Sequence, residues 1–228
     1  MSTAAATART MIRLALKGAL ATRDAATGAP YASMILLATA IDGAPLTLIS
    51  TLARHTQNLR ASAGASLLID TSNAAGDATS GGRISMMGRL TPDGTPAARA
   101  RFLARHPSAA GYADFADFSF WRMDLDSAHM IEGFGRIVPL PGDALRPSGV
   151  DVAAFAANEP TLLRTLQQRW PAVSGLDPDG VDLIDGGATR RLSFDATQPS
   201  AEMAAVAAAN CLATYCAAQQ PKHRSNTG

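Results

Sequence analysis

The run Ile49-Ser50-Thr51-Leu52-Ala53-Arg54-His55-Thr56-Gln57-Asn58-Leu59 concentrates groups able to do chemistry. Two hydroxyls end an expected strand. A guanidinium, an imidazole and a third hydroxyl occupy the first turn of the helix that follows. Free backbone N–H groups and the positive end of the helix dipole meet at such a point. Together they are what a phosphate monoester needs. The same residues also suit a plain surface helix capped by Ser50 or Thr51.

Other motifs carry less. Gly133-Phe134-Gly135 opens like a dinucleotide fingerprint but lacks the third glycine and the following helix. Asp177-Pro178-Asp179-Gly180 lacks the later ligands of a calcium loop and reads as a turn before a strand. There is no Gly-x-Ser-x-Gly elbow. His55, His106, His129 and His223 are scattered, with no pair at i, i+3 or i, i+4, so no zinc site is expected. No residue reads as a general acid or base.

The elements that position these groups sit in a chain of 228 residues with 20 Lys+Arg against 19 Asp+Glu, a formal net charge of +1. That balance argues against a dedicated nucleic-acid binder or a polybasic membrane anchor. Hydrophobic residues at 47% and charged residues at 17% describe a globular chain. At roughly 150 residues per domain this is one large domain or one domain with a small appendage. Only Lys17 and Lys222 are lysines, so a buried phosphate would be held by arginine, hydroxyls and backbone N–H groups. Cys211 and Cys216, five residues apart on an expected helix, lie roughly 140° apart around its axis and about 7.5 Å apart along it. That geometry predicts two free thiols and suits a reducing cytoplasm. No export signal is evident, and residues 201–218, the most apolar stretch, are interrupted by Glu202 and Asn210, so no membrane span is expected.

Ala8, Met11, Ile12, Ala15, Leu16 and Ala19 recur at helical spacing, with Arg9, Arg13 and Lys17 on the other side as an expected solvated face. Strands are expected over residues 18–23, 31–41, 45–50, 66–70 and 83–91, then as a final pair over 118–125 and 128–133. In 83–91, Arg83, Ser85, Met87 and Arg89 share one face and Ile84, Met86, Gly88 and Leu90 the other. Short helices are expected over 53–62 and 96–105. Hairpins and short helices join these strands, which favours a closed antiparallel barrel over residues 8–140. Pro139, Pro141 and Pro147 with Gly142 and Gly149 mark an expected linker. Beyond it, helices over 151–157 and 160–170, strands over 180–184 and 188–194 and an Ala-rich helix form a small α+β unit over 150–218. Residues 219–228 read as a mobile tail.

Several stretches occur in order: Gly28-Ala29-Pro30-Tyr31-Ala32-Ser33, the Asp42-Gly43-x-Pro45 hairpin, residues 50–59, Ser66-Leu67-Leu68, Arg83-Ile84-Ser85, Arg105-His106-Pro107, Asp117-Phe118-x-Phe120-Trp121-Arg122 and Gly133-Phe134-Gly135. This pattern resembles the FMN-binding split-barrel superfamily related to pyridoxamine 5′-phosphate oxidase. Within it the chain looks most like the branch of bacterial haem-utilisation (HugZ-like) proteins. The resemblance implies a mainly β fold with α: a six-stranded antiparallel split β-barrel plus a small C-terminal α+β domain. It also implies a homodimer with FMN at the subunit interface, beside the cytoplasmic location expected from the cysteines and the lack of a nucleic-acid or membrane partner expected from charge and hydropathy. The phosphate grip falls on Arg54, His55 and Thr56, with Ser50 and Asn58 beside them. Tyr31, Ser33 and Met34, with Arg83, Ser85 and Met86, lie on the implied flavin-facing strands. Trp121 and Arg122 are expected to reach the partner subunit's flavin.

Two departures stand out. Arg191-Leu192-Ser193-Phe194 does not match the substrate-holding Trp-x-x-x-Arg-Leu-x-Pro motif of the biosynthetic oxidase, so that reaction is not expected. Where the branch has an Asn-x-Asp-His box, this chain reads Leu166-Gln167-Gln168-Arg169-Trp170. Haem-degrading members ligate iron through a tail histidine, and here His223 stands between Lys222 and Arg224. Three functions follow: an FMN-dependent oxidoreductase, a haem-binding or haem-degrading protein, and a non-catalytic split barrel with a degenerate site.

Overall fold

The computed structural model describes residues 3–71, 81–132, 136–185 and 188–219. The chain divides into two compact units, residues 1–148 and 149–228. The first contains α1 (Thr3–Leu14), β1 (Lys17–Arg23), β2 (Pro30–Leu36), β3 (Ala38–Thr39), β4 (Pro45–Ser50), α2 (Arg54–Ala61), β5 (Gly64–Asp70), β6 (Arg83–Pro92), α3 (Pro96–Arg105), β7 (Phe118–Ile131) and β8 (Ile137–Pro141). All pairings are antiparallel, in the order β2-β1-β5-β6-β7-β4-β3, with β8 also on β7.

The antiparallel split-barrel class is as expected, but the sheet has eight strands where six are expected, and the strands differ in detail. Residues 118–133 were expected as two strands, and β7 is instead one strand of 14 residues. Its first half pairs with β4, from Phe118 against Ser50 to Arg122 against Leu46, and its second half pairs with β8. The sheet therefore divides along β7. Pro139 and Pro141 lie in β8 and not in a linker, because an edge strand tolerates residues that donate no ladder hydrogen bond. Residues 31–41 break into β2 and β3 at Leu37, whose N–H bonds Leu16 O at 2.9 Å.

Burial follows the alternation. Ile84, Met86 and Leu90 of β6 join Leu20, Leu67, Ile69, Met123 and Met130 in the barrel core. The basic stripe of α1 is a correction. Arg9 and Arg13 are buried at 4% and 2% exposure, and α1 ends before Lys17, which lies on β1. Arg13 donates to Ala40 O at 3.3 Å and Ile41 O at 2.9 Å, and Arg9 to Ala144 O at 3.4 Å. Carbonyls of the β3–β4 hairpin and of the turn at residues 142–145 need donors, and Arg13 and Arg9 respectively supply them.

The second unit holds α4 (Val152–Arg169), β9 (Val173–Asp177), β10 (Gly180–Asp185), β11 (Ala188–Ser193) and α5 (Ala201–Gln219), with sheet order β11-β10-β9. Two expected helices are one, α4, which runs through Pro160, and β9 was not expected. Residues 177–180 form the β9–β10 turn. By length and composition α5 could cross a membrane. In this fold its Ala201, Ala204, Ala208 and Leu212 are buried. Cys211 and Cys216 are both free thiols.

Candidate functional site

β4 delivers the chain to Ser50, and α2 starts four residues later. Its N-cap is Ala53, in extended conformation and without a side-chain cap bond, so neither Ser50 nor Thr51 caps the helix. Ser50 Oγ instead donates to Asp117 Oδ2 at 2.5 Å and accepts the Leu52 N–H at 3.1 Å.

The first residues of α2 point different ways. Arg54 Nε donates to Asp24 Oδ2 at 2.7 Å, and the guanidinium lies 5.2 Å from the centre of the Tyr31 ring. Asp24 also accepts the Thr27 N–H at 2.9 Å and the Thr27 hydroxyl at 2.7 Å. Arg54 first, and Thr27 second, hold the Asp24 carboxyl far below the usual carboxylate range. His55 turns to the other side, with Nδ1 3.0 Å from Ser33 Oγ. Its Nε2 is enclosed and has no hydrogen-bond partner among the described residues. Burial lowers the His55 pKa and keeps the ring neutral at pH 7.

His55 and Ser50 line a cavity of about 360 Å³ whose apolar walls include Met34, Leu36, Leu48 and Phe118. That volume lies in the range of small-molecule sites. Because β2 is an edge strand, the cavity sits at the rim of the sheet. His55 also makes a pH prediction. A base with a depressed native pKa leaves the unfolded state binding more protons, so stability is lost as pH falls through its ordinary value of 6.5. His106 adds to this effect, since burial lowers its pKa too. Thermal unfolding should show Tm falling from pH 7.5 to 5.5, with a smaller fall in His55→Gln. An equal fall in both proteins would remove His55 as a cause.

Several expected site residues lie elsewhere. Asn58 is buried and spoken for: Nδ2 donates to Thr22 Oγ1 at 3.0 Å, and Oδ1 accepts the Ala25 N–H at 2.9 Å. Thr56 is fully buried, its hydroxyl enclosed. Met86 and Trp121 belong to the core, and the indole N–H donates to Ser119 Oγ at 2.9 Å. Strand alternation turns both inward. Arg122 is engaged by both oxygens of Asp42, at 3.1 and 2.5 Å. It pairs with Leu46, and Ser50 stands at the far end of β4, about 14 Å along the strand. Arg83 and Ser85 lie on the outer face of the sheet, three strands from β2. Thus Tyr31, Ser33, Met34, Ser50, Arg54 and His55 gather near the start of α2, Thr56 and Asn58 lie on the same helix with buried side chains, and Arg83, Ser85, Met86, Trp121 and Arg122 lie on other strands of this protomer. His223 and Gly133-Phe134-Gly135 lie outside the described residues.

Sequence reasoning missed Asp24 and Asp117. Neither carries a local signal, because their partners are remote in the chain. Their presence changes the electrostatics, since Asp24 occupies Arg54 Nε and Asp117 accepts the Ser50 hydroxyl. Of the expected phosphate grip, Ser50, Arg54 and His55 stand at the start of α2, while the Thr56 and Asn58 side chains are buried.

The barrel divided along β7 defines a split-barrel protein, with an imidazole-bearing cavity at its rim. The family model for the CREG beta-barrel matches residues 1–144, and the chain belongs to that family. The superfamily resemblance agrees with this assignment. A curated relative, the chloroplastic non-canonical heme oxygenase HOZ of Arabidopsis thaliana, is 37% identical over 109 residues, 46% of this chain and 33% of that protein. The match therefore spans a third of the relative's length. Among solved structures, a protein of unknown function from Agrobacterium tumefaciens is 24% identical with TM-score 0.75, covering 91% of this chain and 94% of its own. A heme binding protein from Mycobacterium smegmatis is 25% identical with TM-score 0.60, covering 93% and 99%.

Proposed function

We propose that this protein binds haem in the cavity beside α2 and works as a homodimer. The observation that carries this reading is His55: a neutral imidazole on an apolar-walled cavity, with Nδ1 turned to Ser33 and Nε2 without a partner. A proton held at Nδ1 toward Ser33 would leave on Nε2 the lone pair that haem iron takes from histidine, once the side chain turns this enclosed nitrogen into the cavity. Met34, Leu36, Leu48 and Phe118 would exclude water from the macrocycle. Bound haem would supply the oxygen chemistry, and the chain's own residues would hold and orient it. The names of the Arabidopsis and Mycobacterium relatives support the same ligand.

The homodimer reading is supported by the outer sheet face. Met34, Leu36 and Leu68 are 65%, 39% and 40% exposed there. Met34, Ala19, Leu68, Ser85 and His129 form one row across five strands. A second copy seated on this face would cover the apolar side chains and close the rim of the cavity. Arg83 and Ser85 would then be interface residues.

The second reading is an FMN-dependent oxidoreductase. It is favoured by Arg54, whose side chain is 56% exposed and bonds Asp24 through Nε.

Parallel titrations separate the two readings. Haemin should give a saturable, red-shifted Soret band that is lost or displaced in His55→Ala and kept in His223→Ala. Light scattering of the same sample should give a dimer mass. Loss of the band only in His223→Ala would move the ligand to the tail. Absence of any saturable band would sink the haem reading. If FMN binds instead, Arg54→Ala should weaken it by a charge-assisted contact of about 1.5–3 kcal/mol.

A further inference from the structure

We propose that the second unit carries a separate binding site for a planar aromatic molecule with two acidic groups. The site is a cavity of about 700 Å³ lined by Arg169, Trp170, Leu183, Arg190, Leu212 and Tyr215, among others. It lies within the volume range of small-molecule sites.

The chain builds the site from three elements. α4 ends at Arg169, and Trp170 is its C-cap. On the sheet, Leu183 of β10 pairs with Arg190 of β11. Leu212 and Tyr215 stand at i and i+3 on α5, so they share one side of that helix.

The charges are arranged for an outside partner. Arg169 lies 4.7 Å from the Trp170 ring centre, and Arg190 lies 5.5 Å from that of Tyr215. Among the described residues, neither guanidinium has a carboxylate partner. Strand alternation explains part of this arrangement. Arg191, the next residue, turns to the other side of β11 and takes both Asp177 and Asp182. Arg190 therefore faces the cavity without an acid. A guanidinium lying over a ring keeps its N–H edge free for a carboxylate or phosphate. Two such cations ask for two acidic groups, and Leu183, Leu212, Trp170 and Tyr215 ask for a flat apolar body.

Naphthalene-2,6-dicarboxylate is the probe, titrated into the full-length protein and followed by tryptophan fluorescence and calorimetry. Trp170 lines the cavity, while Trp121 is buried in the other unit and gives a steady background. Saturable binding is expected, with Kd raised about tenfold or more in Arg190→Gln and in Arg169→Gln and partly restored in Arg190→Lys. The neutral dimethyl ester should bind at least tenfold more weakly than the diacid, and added salt should weaken the diacid alone. Both arginines are exposed and make no ion pair among the described residues, so the variants should fold, which circular dichroism checks. Equal binding of diacid and ester would reduce the site to an apolar cleft and overturn the proposal. So would the absence of saturable binding, or binding unchanged in both arginine variants. These readouts do not depend on haem, so either site can fail without the other.

Discussion

Arg191→Met is expected to cost the second unit about 4 kcal/mol, because removing one member of a buried ion pair leaves uncompensated charge. The guanidinium donates to both oxygens of Asp177 at 2.8 Å and to Asp182 at 2.9 Å. The three side chains are 1%, 0% and 7% exposed. Burial opposes the arginine's charge, but Asp177 first and Asp182 next more than reverse that effect and hold its pKa above the ordinary arginine value. A small unit has only about 0.05–0.15 kcal/mol of stability per residue, so this loss removes much of what it has. Urea unfolding followed by Trp170 emission should shift to far lower urea, while the barrel transition stays in place. A combined replacement of Arg191, Asp177 and Asp182 by apolar residues of similar volume should recover most of the loss. If Arg191→Met alone costs under about 1 kcal/mol, the triad does not hold this unit together.

Gly88→Ala is expected to lower the barrel's stability by about 3 kcal/mol, at the upper end of ordinary overpacking. A Cβ at Gly88 would stand 2.0 Å from Asp124 O and 3.1 Å from Leu125 Cα. Both are backbone atoms, so no side chain can swing away. The β6–β7 register shifts between Met87 and Gly88, where Met87 faces Ser127 and Gly88 faces Leu125, leaving Asp126 over. An added methyl group would push this bulge open and displace β7, which carries Phe118 of the cavity wall. For a chain of this size the loss corresponds to roughly 10 °C in Tm. Gly94→Ala is the control, since a Cβ there meets nothing within 4 Å. Similar melting of the two variants would show that the close approach at Gly88 relaxes at little cost.

Short-range features were legible in the residues themselves. The inward and outward sides of β6 follow from its period of two, and α3 spans Pro96–Arg105 as its amphipathic pattern requires. The succession of β1, β2, β4, β5 and β6 along the chain and the α2 start after Ser50 also followed, because they rest on local periodicity and turn chemistry. The partners of charged groups did not. Arg54 meets Asp24 thirty positions away, and Arg122 meets Asp42 eighty away. No local period records such a pairing; it is set by the register in which strands close. The same limit hid the burial of Arg9 and Arg13, whose spacing is that of any solvated helix face until a hairpin's carbonyls lie above them. By itself the sequence determined the fold class and the point at which α2 follows β4. Only the tertiary structure decided the charge of that site, because a guanidinium's effect depends on which carboxylate the closed sheet sets beside it.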